Sequence, residues 1–200
     1  MDSPSSPTNV LLPESAFSQL PIARMFPKQQ PLELDLGCGK GKFLIAKAQS
    51  DPDTNFIGVD RQFSRIQKID RRINRIGLSN VKLLRIEVFH AIQHMLPEES
   101  VRTIYLFFPD PWPKRKHHRR RLLTTHFLDA VLPILTPGGT MHVMTDHADY
   151  FEVIKTAFCA NHRFESIPFP DFPEEQKTDF EILFMKQKAS IGRCSFRKKD

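Results

Sequence analysis

Apolar residues fall in short blocks along this chain, and the blocks are of two alternating kinds. Continuous apolar or β-branched runs bounded by turn residues read as buried strands. Apolar positions recurring every third or fourth residue read as helices. Residues 32–36 form the first strand, closed by a glycine-rich turn, and residues 42–49 the helix after it. Residues 55–60 are a second strand. Residues 62–76 are a helix with Ile66, Ile69, Ile73 and Ile76 on one face and Gly77 as its stop. Residues 81–88 read as a third strand and 91–96 as a short helix. Residues 101–107 are apolar enough for a central fourth strand. Residues 120–132 form a helix ended by Pro133 and the Pro137-Gly138-Gly139 turn. Next come a fifth strand over 140–145 and a helix over 150–159, carrying Phe151, Ile154 and Phe158. Two more strands are expected near 164–168 and 190–196, with no clear pattern over 168–190. Residues 1–12 read as a flexible tail, a short helix is expected near 14–25, and 13–200 form a single domain.

Strand–helix alternation of this kind predicts a three-layer α/β fold around a seven-stranded, mostly parallel sheet. Ligands of such sheets bind outside the carboxyl ends of the strands. The chemistry is therefore sought just after each strand. The first leads into Asp35-Leu36-Gly37-Cys38-Gly39-Lys40-Gly41. The glycines let backbone approach a ligand closely. A dinucleotide fingerprint would need glycine where Lys42 stands, which disfavours a nicotinamide oxidoreductase. Asp35, two residues before the first glycine, suits a cationic ligand better than a pyrophosphate. Asp60 ends the second strand at the spacing of a ribose-binding acid, and also at that of a helix N-cap. Glu87, after the third, is placed to accept from an adenine amino group. After the fourth comes Phe107-Phe108-Pro109-Asp110-Pro111-Trp112-Pro113-Lys114, where three prolines fix the directions of Asp110 and Trp112. The lone tryptophan there either recognises a surface or braces the site. Thr145-Asp146-His147 ends the fifth strand, and Thr145 or Asp146 could simply cap the next helix.

Charge sharpens the picture because it is so uneven. The chain carries 29 Lys/Arg against 23 Asp/Glu. The run Lys114-Arg115-Lys116-His117-His118-Arg119-Arg120-Arg121 holds the whole excess, and the remainder balances. Such a run is either a solvated face or the footprint of a polyanion. Arg61, Arg65, Lys68, Arg72 and Arg75 along one helix, and Arg193, Arg197, Lys198 and Lys199, could add to it. No stretch reaches the roughly 20 apolar residues of a membrane span. Cys38, Cys159 and Cys194 show neither metal-ligand nor disulfide spacing, so no metal is expected and a reducing cytoplasm is the simplest setting.

The set Asp35/G-x-G-x-G, Asp60, Glu87 and Phe-Phe-Pro-Asp-Pro-Trp-x-Lys resembles the bacterial tRNA (guanine-N7)-methyltransferase family. Thr145-Asp146 and Thr178-Asp179-Phe180-Glu181 extend the resemblance, which runs from about residue 32 to 196. It implies a Rossmann-like class I methyltransferase fold using S-adenosylmethionine. It implies a site in which Asp35, Gly37, Gly39, Gly41, Asp60, Glu87 and Asp110 bind that cofactor. Asp110 would also be catalytic, and Lys114, Asp146, Thr178, Asp179, Phe180 and Glu181 would contact tRNA. The implied reaction is methylation of guanosine N7 at variable-loop position forty-six, by a monomer or homodimer with no membrane partner. Departures are Asp at 35 and 60, where the family more often has Glu, and Lys188 where a glycine usually comes after the late motif. A methyltransferase for another RNA base or an amine, and a non-catalytic RNA-binding protein of the same fold, are the competing readings.

Overall fold

The computed structural model describes residues 8–13, 15 and 17–199. Its strands are β1 (Val10–Leu11), β2 (Leu32–Leu36), β3 (Asn55–Val59), β4 (Val81–Leu84), β5 (Val101–Phe107), β6 (Leu135–Thr145), β7 (Phe164–Ile167) and β8 (Gly192–Lys198). They form one eight-stranded sheet in the order β1-β4-β3-β2-β5-β6-β8-β7. β1 to β6 pair in parallel, while β8 inserts antiparallel between β6 and β7. The expected sheet thus gains a strand. Val10 and Leu11, assigned to the tail by their sequence, extend the edge beside β4. They stay because the Asn9 amide and side chain both donate to Asp70, and the Asn9 side chain also donates to Asn74. Residues 1–7 of the expected tail lie outside the described residues.

The helices are α1 (Ile22–Met25), α2 (Lys42–Ser50), α3 (Phe63–Ile76), α4 (Val88–His90), α5 (Thr125–Ile134), α6 (Ala148–Cys159) and α7 (Asp179–Lys186). α3 shows why the isoleucine spacing is informative. Ile66, Ile69 and Ile73 are buried, and Gly77 ends the helix at φ +72°. Ile76, the last of the expected stripe, is exposed instead. The π-helical turn Ala91–Met95 comes directly after α4 and buries Ala91, Ile92 and Met95 in the core.

Several boundaries move for physical reasons. The third strand stops at Leu84, because Glu87 caps α4 by accepting the His90 amide at 2.9 Å. The helix expected from 120 starts at Thr125, where Thr124 Oγ1 accepts from the Phe127 amide. The basic run before it winds as a 3-10 turn, Arg115–Arg120. Pro133 sits in the last turn of α5 rather than after it. α6 is capped by His147, not by Thr145 or Asp146, through Nδ1 and the Tyr150 amide. The patternless segment 168–190 contains α7, capped by Thr178 Oγ1 on the Glu181 amide at 2.9 Å. Among the described residues no helix is long and apolar enough to cross a membrane.

Candidate active site

The parallel strands end on one side of the sheet, and a cavity of about 720 Å³ opens there. That lies within the roughly 300–1,000 Å³ of small-molecule sites. Its floor is the turn from β2 to α2. Gly37 and Gly39 take φ of +76° and +57°, a region costly for residues with a Cβ. The Gly37 and Cys38 amides both donate to the Val59 carbonyl, which ties the turn to β3. Gly41, also at positive φ, does a different job. A Cβ there would lie 2.8 Å from Ile69, so this glycine lets α3 close against the turn and does not line the cavity.

Two carboxylates sit close together on this floor. Asp35 and Asp60 are both buried. Burial, and then the charge of Asp60, push the Asp35 carboxyl up to about 7. Asp60 is held from three sides. It accepts from the Gln62 amide at 2.7 Å and the Gly39 amide at 3.1 Å, and pairs with Arg65 at 3.2 Å. A cationic ligand beside Asp35 would offset both the desolvation and the repulsion that hold its proton. The buried carboxylate therefore fits a positively charged ligand. Glu87 stands on the rim beside Ile86 and Val88.

The opposite wall is the loop after β5. Phe108 and Trp112 adopt φ of +55° and +44°, unusual for bulky side chains, and bracket Pro109, Asp110 and Pro111. Strain of this kind persists only where surroundings over-determine it. Here the Phe108 amide donates to the Met144 carbonyl of β6 at 2.8 Å. The Pro111 carbonyl accepts from Arg121 Nε at 2.8 Å. Asp110 thereby reaches the cavity as an exposed carboxylate on a fixed loop. α7 covers part of the opening. Its Phe184 packs on Phe108 at 5.4 Å, and Phe180 and Leu183 face the cavity.

This arrangement has relatives in sequence. A family model described as "Putative methyltransferase" matches residues 29–194. The tRNA (guanine-N(7)-)-methyltransferase of Halorhodospira halophila is 35% identical over 180 residues, covering 86% of this chain and 77% of the relative. That of Streptococcus thermophilus is 33% identical over 196 residues, covering 96% and 91%.

The chain belongs to the bacterial tRNA (guanine-N(7)-)-methyltransferase family.

Solved structures bear on the fold alone. The 16S rRNA methyltransferase KamB superposes with a TM-score of 0.64 at 16% identity, covering 86% of this chain and 89% of that one. The [4+2]-cyclase SpnF does so at 0.57 and 14%, covering 89% and 79%, so the architecture does not dictate the chemistry.

Of the residues that the family resemblance singles out, the cavity gathers Asp35, Gly37, Gly39, Asp60, Glu87, Asp110, Thr178, Asp179 and Phe180. Gly41, Lys114, Asp146 and Glu181 do not line it. Glu181 is buried and pairs with Arg193 of β8 at 2.8 Å, which pins α7 to the sheet. Lys114 and Asp146 are exposed outside the cavity. The basic run also divides, and the break is at Arg121. Its side chain is 3% exposed, pairs with Asp149 at 2.7 Å and lies over the Tyr150 ring. Its expected place in a phosphate-facing run is therefore corrected to that of an internal strut under the loop. Sequence reasoning missed the individual roles of Phe108 and Arg120. Their signal is three-dimensional, since each is defined by a through-space neighbour or by backbone conformation.

Proposed function

We propose that this chain transfers a methyl group from S-adenosylmethionine to N7 of a guanosine in tRNA, forming 7-methylguanosine, with variable-loop position forty-six as the target. The observation that carries the reading is one cavity joining a carboxylate-lined floor to Asp110 on a strained, proline-rich wall. S-adenosylmethionine, when bound, supplies a methyl group on a positively charged sulfur. Asp35 would match its cationic part, Asp60 its ribose hydroxyls and Glu87 its adenine amino group. Arg65, half-exposed, must yield part of its hold on Asp60 for the ribose to enter.

Guanine N7 bears a lone pair and no proton at neutral pH, so the protein needs no general base. Its task is to orient the base and exclude water, which can lower a barrier by several kcal/mol. Asp110 either accepts from the guanine amino edge or favours the positive charge that develops on the purine. The basic residues from Lys114 to Arg119 would hold phosphates, and Lys114, Asp146 and Thr178 to Phe180 would meet the tRNA around the opening. Guanine N7 lies in the deep, narrow major groove of A-form RNA, so an accessible or unstacked base is required. A cytoplasmic monomer or homodimer completes the reading. Incubating unmodified tRNA with labelled S-adenosylmethionine and mapping the methylated nucleoside tests it. Label at another base, or none, overturns it.

A further inference from the structure

Trp112 is the only tryptophan of the chain, half-buried on the cavity wall two residues from Asp110. The Arg120 guanidinium lies over its ring, 4.9 Å from the centroid. His117 meets the indole edge-on at 5.8 Å. Arg120 also lines the cavity, is exposed, and pairs with no carboxylate among the described residues. It thus marks an indole face that accepts a flat cation from the side of the cavity.

We propose that this face is the seat of the target base, and that it binds the methylated purine cation more tightly than the neutral purine. The inference rests on the reading of the chain as a guanosine N7-methyltransferase. Methylation forms the C–N7 bond and breaks the C–S bond, and no proton is lost. Positive charge leaves the sulfonium and appears on the purine ring. An indole face attracts such a charge through its quadrupole. The Asp110 carboxylate at the same wall adds to that attraction. Because the charge grows during transfer, stacking of this kind is stronger in the transition state than for the free base, which is the requirement for catalysis. Arg120 holds the place in the meantime. Its guanidinium has the planar, delocalised charge of the product ring, and its displacement frees it for a phosphate of the bound strand. Trp112 lines the cavity from a backbone held at positive φ.

The single tryptophan makes the test direct. Intrinsic fluorescence of the full chain is titrated with 7-methylguanosine monophosphate and, separately, with guanosine monophosphate. Both nucleotides should quench Trp112, the methylated one with an affinity roughly tenfold higher. Asp110→Asn should shrink that preference. Arg120→Gln, which removes the competing cation, should strengthen binding of the methylated nucleotide. Trp112→Leu, checked for folding by circular dichroism, should lose turnover more than tRNA affinity, and the two nucleotides should then inhibit it equally. Absent quenching, equal affinities for the two nucleotides, or a Trp112→Leu variant with wild-type turnover would overturn the proposal. Those results alongside 7-methylguanosine formed in tRNA by the unaltered chain would sink this inference alone. Failure to form 7-methylguanosine would sink the functional reading beneath it.

Discussion

The two walls of the cavity are built on opposite principles. On the floor, Asp35 and Asp60 are buried at strand ends, and Asp60 is fixed by two backbone amides and Arg65. On the facing wall, Asp110, Trp112 and Phe180 stand on a loop and a short helix, exposed or half-exposed, and Phe108 and Trp112 take left-handed conformations. The floor is tied by hydrogen bonds and an ion pair and carries the cost of buried negative charge. The wall is open and carries the cost of strained backbone. A small ligand with fixed shape can be met by a finished mould. A base delivered by a large polyanion needs side chains that can be reached from outside. Substitutions on the two walls should therefore fail in different ways.

The largest effect is expected on the open wall. Asp110→Asn should keep the fold and tRNA affinity but lower the single-turnover rate by about 10²–10³-fold, the scale of losing one preorganised electrostatic group. Because N7 needs no deprotonation, the unaltered rate at saturation should be flat from about pH 6.5 to 8.5. A near-normal Asn variant would remove Asp110 from the chemistry, and a steep rise with pH would point to a different target atom.

Asp35 should show the opposite balance of stability and function. Its carboxyl is raised from 3.8 to about 7 in the fold. An acid with a raised folded pKa costs no stability below its unfolded pKa, and costs progressively more as pH rises towards the folded value, where the penalty levels off. Asp35→Asn should therefore stabilise the ligand-free protein at pH 8 by about 2–4 kcal/mol and leave it unchanged near pH 4. The same change should weaken cofactor binding by roughly 10- to 100-fold. In the unaltered chain, cofactor affinity should fall as pH drops below about 7, where Asp35 takes up its proton. Chemical denaturation and calorimetry at several pH values measure both. Lower stability of the Asn variant at pH 8 would contradict the buried-charge account of the floor.

The basic run offers a smaller contrast within a few residues. Arg121→Gln should cost about 1–3 kcal/mol of stability, because a buried charged hydrogen-bond set is broken. Arg119→Gln should leave the melting temperature in place and reduce the salt-dependence slope of tRNA binding by about one. If both variants changed only the slope, Arg121 would belong to the surface after all.

The parts of this molecule legible in its sequence are those whose order depends on neighbours along the chain. β5 is readable end to end because Val101 to Phe107 is a largely apolar run. α3 is readable from three isoleucines and a glycine stop. β1 has two residues and owes its place to Asp70, 61 positions from Asn9, so no local pattern announces it. α7 leaves Phe180, Leu183 and Met185 exposed, which blurs any apolar stripe. In the site, the acids at strand ends are legible because parallel sheets bind ligands at those ends. Arg121 looks like its neighbours, since only the Asp149 carboxylate and the Pro111 carbonyl distinguish it. The turn Ala91–Met95 is legible as a short helix, but its π-helical winding carries no sequence mark.

The antiparallel insertion of β8 between β6 and β7 has a consequence for the order of assembly. Until residues 192–198 leave the ribosome, β6 presents an open edge and β7 has no strand to pair with. The strands β2 to β5, and with them the Asp35–Asp60 floor, can pair before that. Glu181 cannot find Arg193 until β8 exists, so α7 gains its anchor to the sheet last, although Phe184 can meet Phe108 earlier. A nascent chain of this protein would thus pair the strands that carry the Asp35–Asp60 floor first and anchor the α7 cover at the end. While it waits, the unpaired β6 edge is its point of greatest exposure to aggregation.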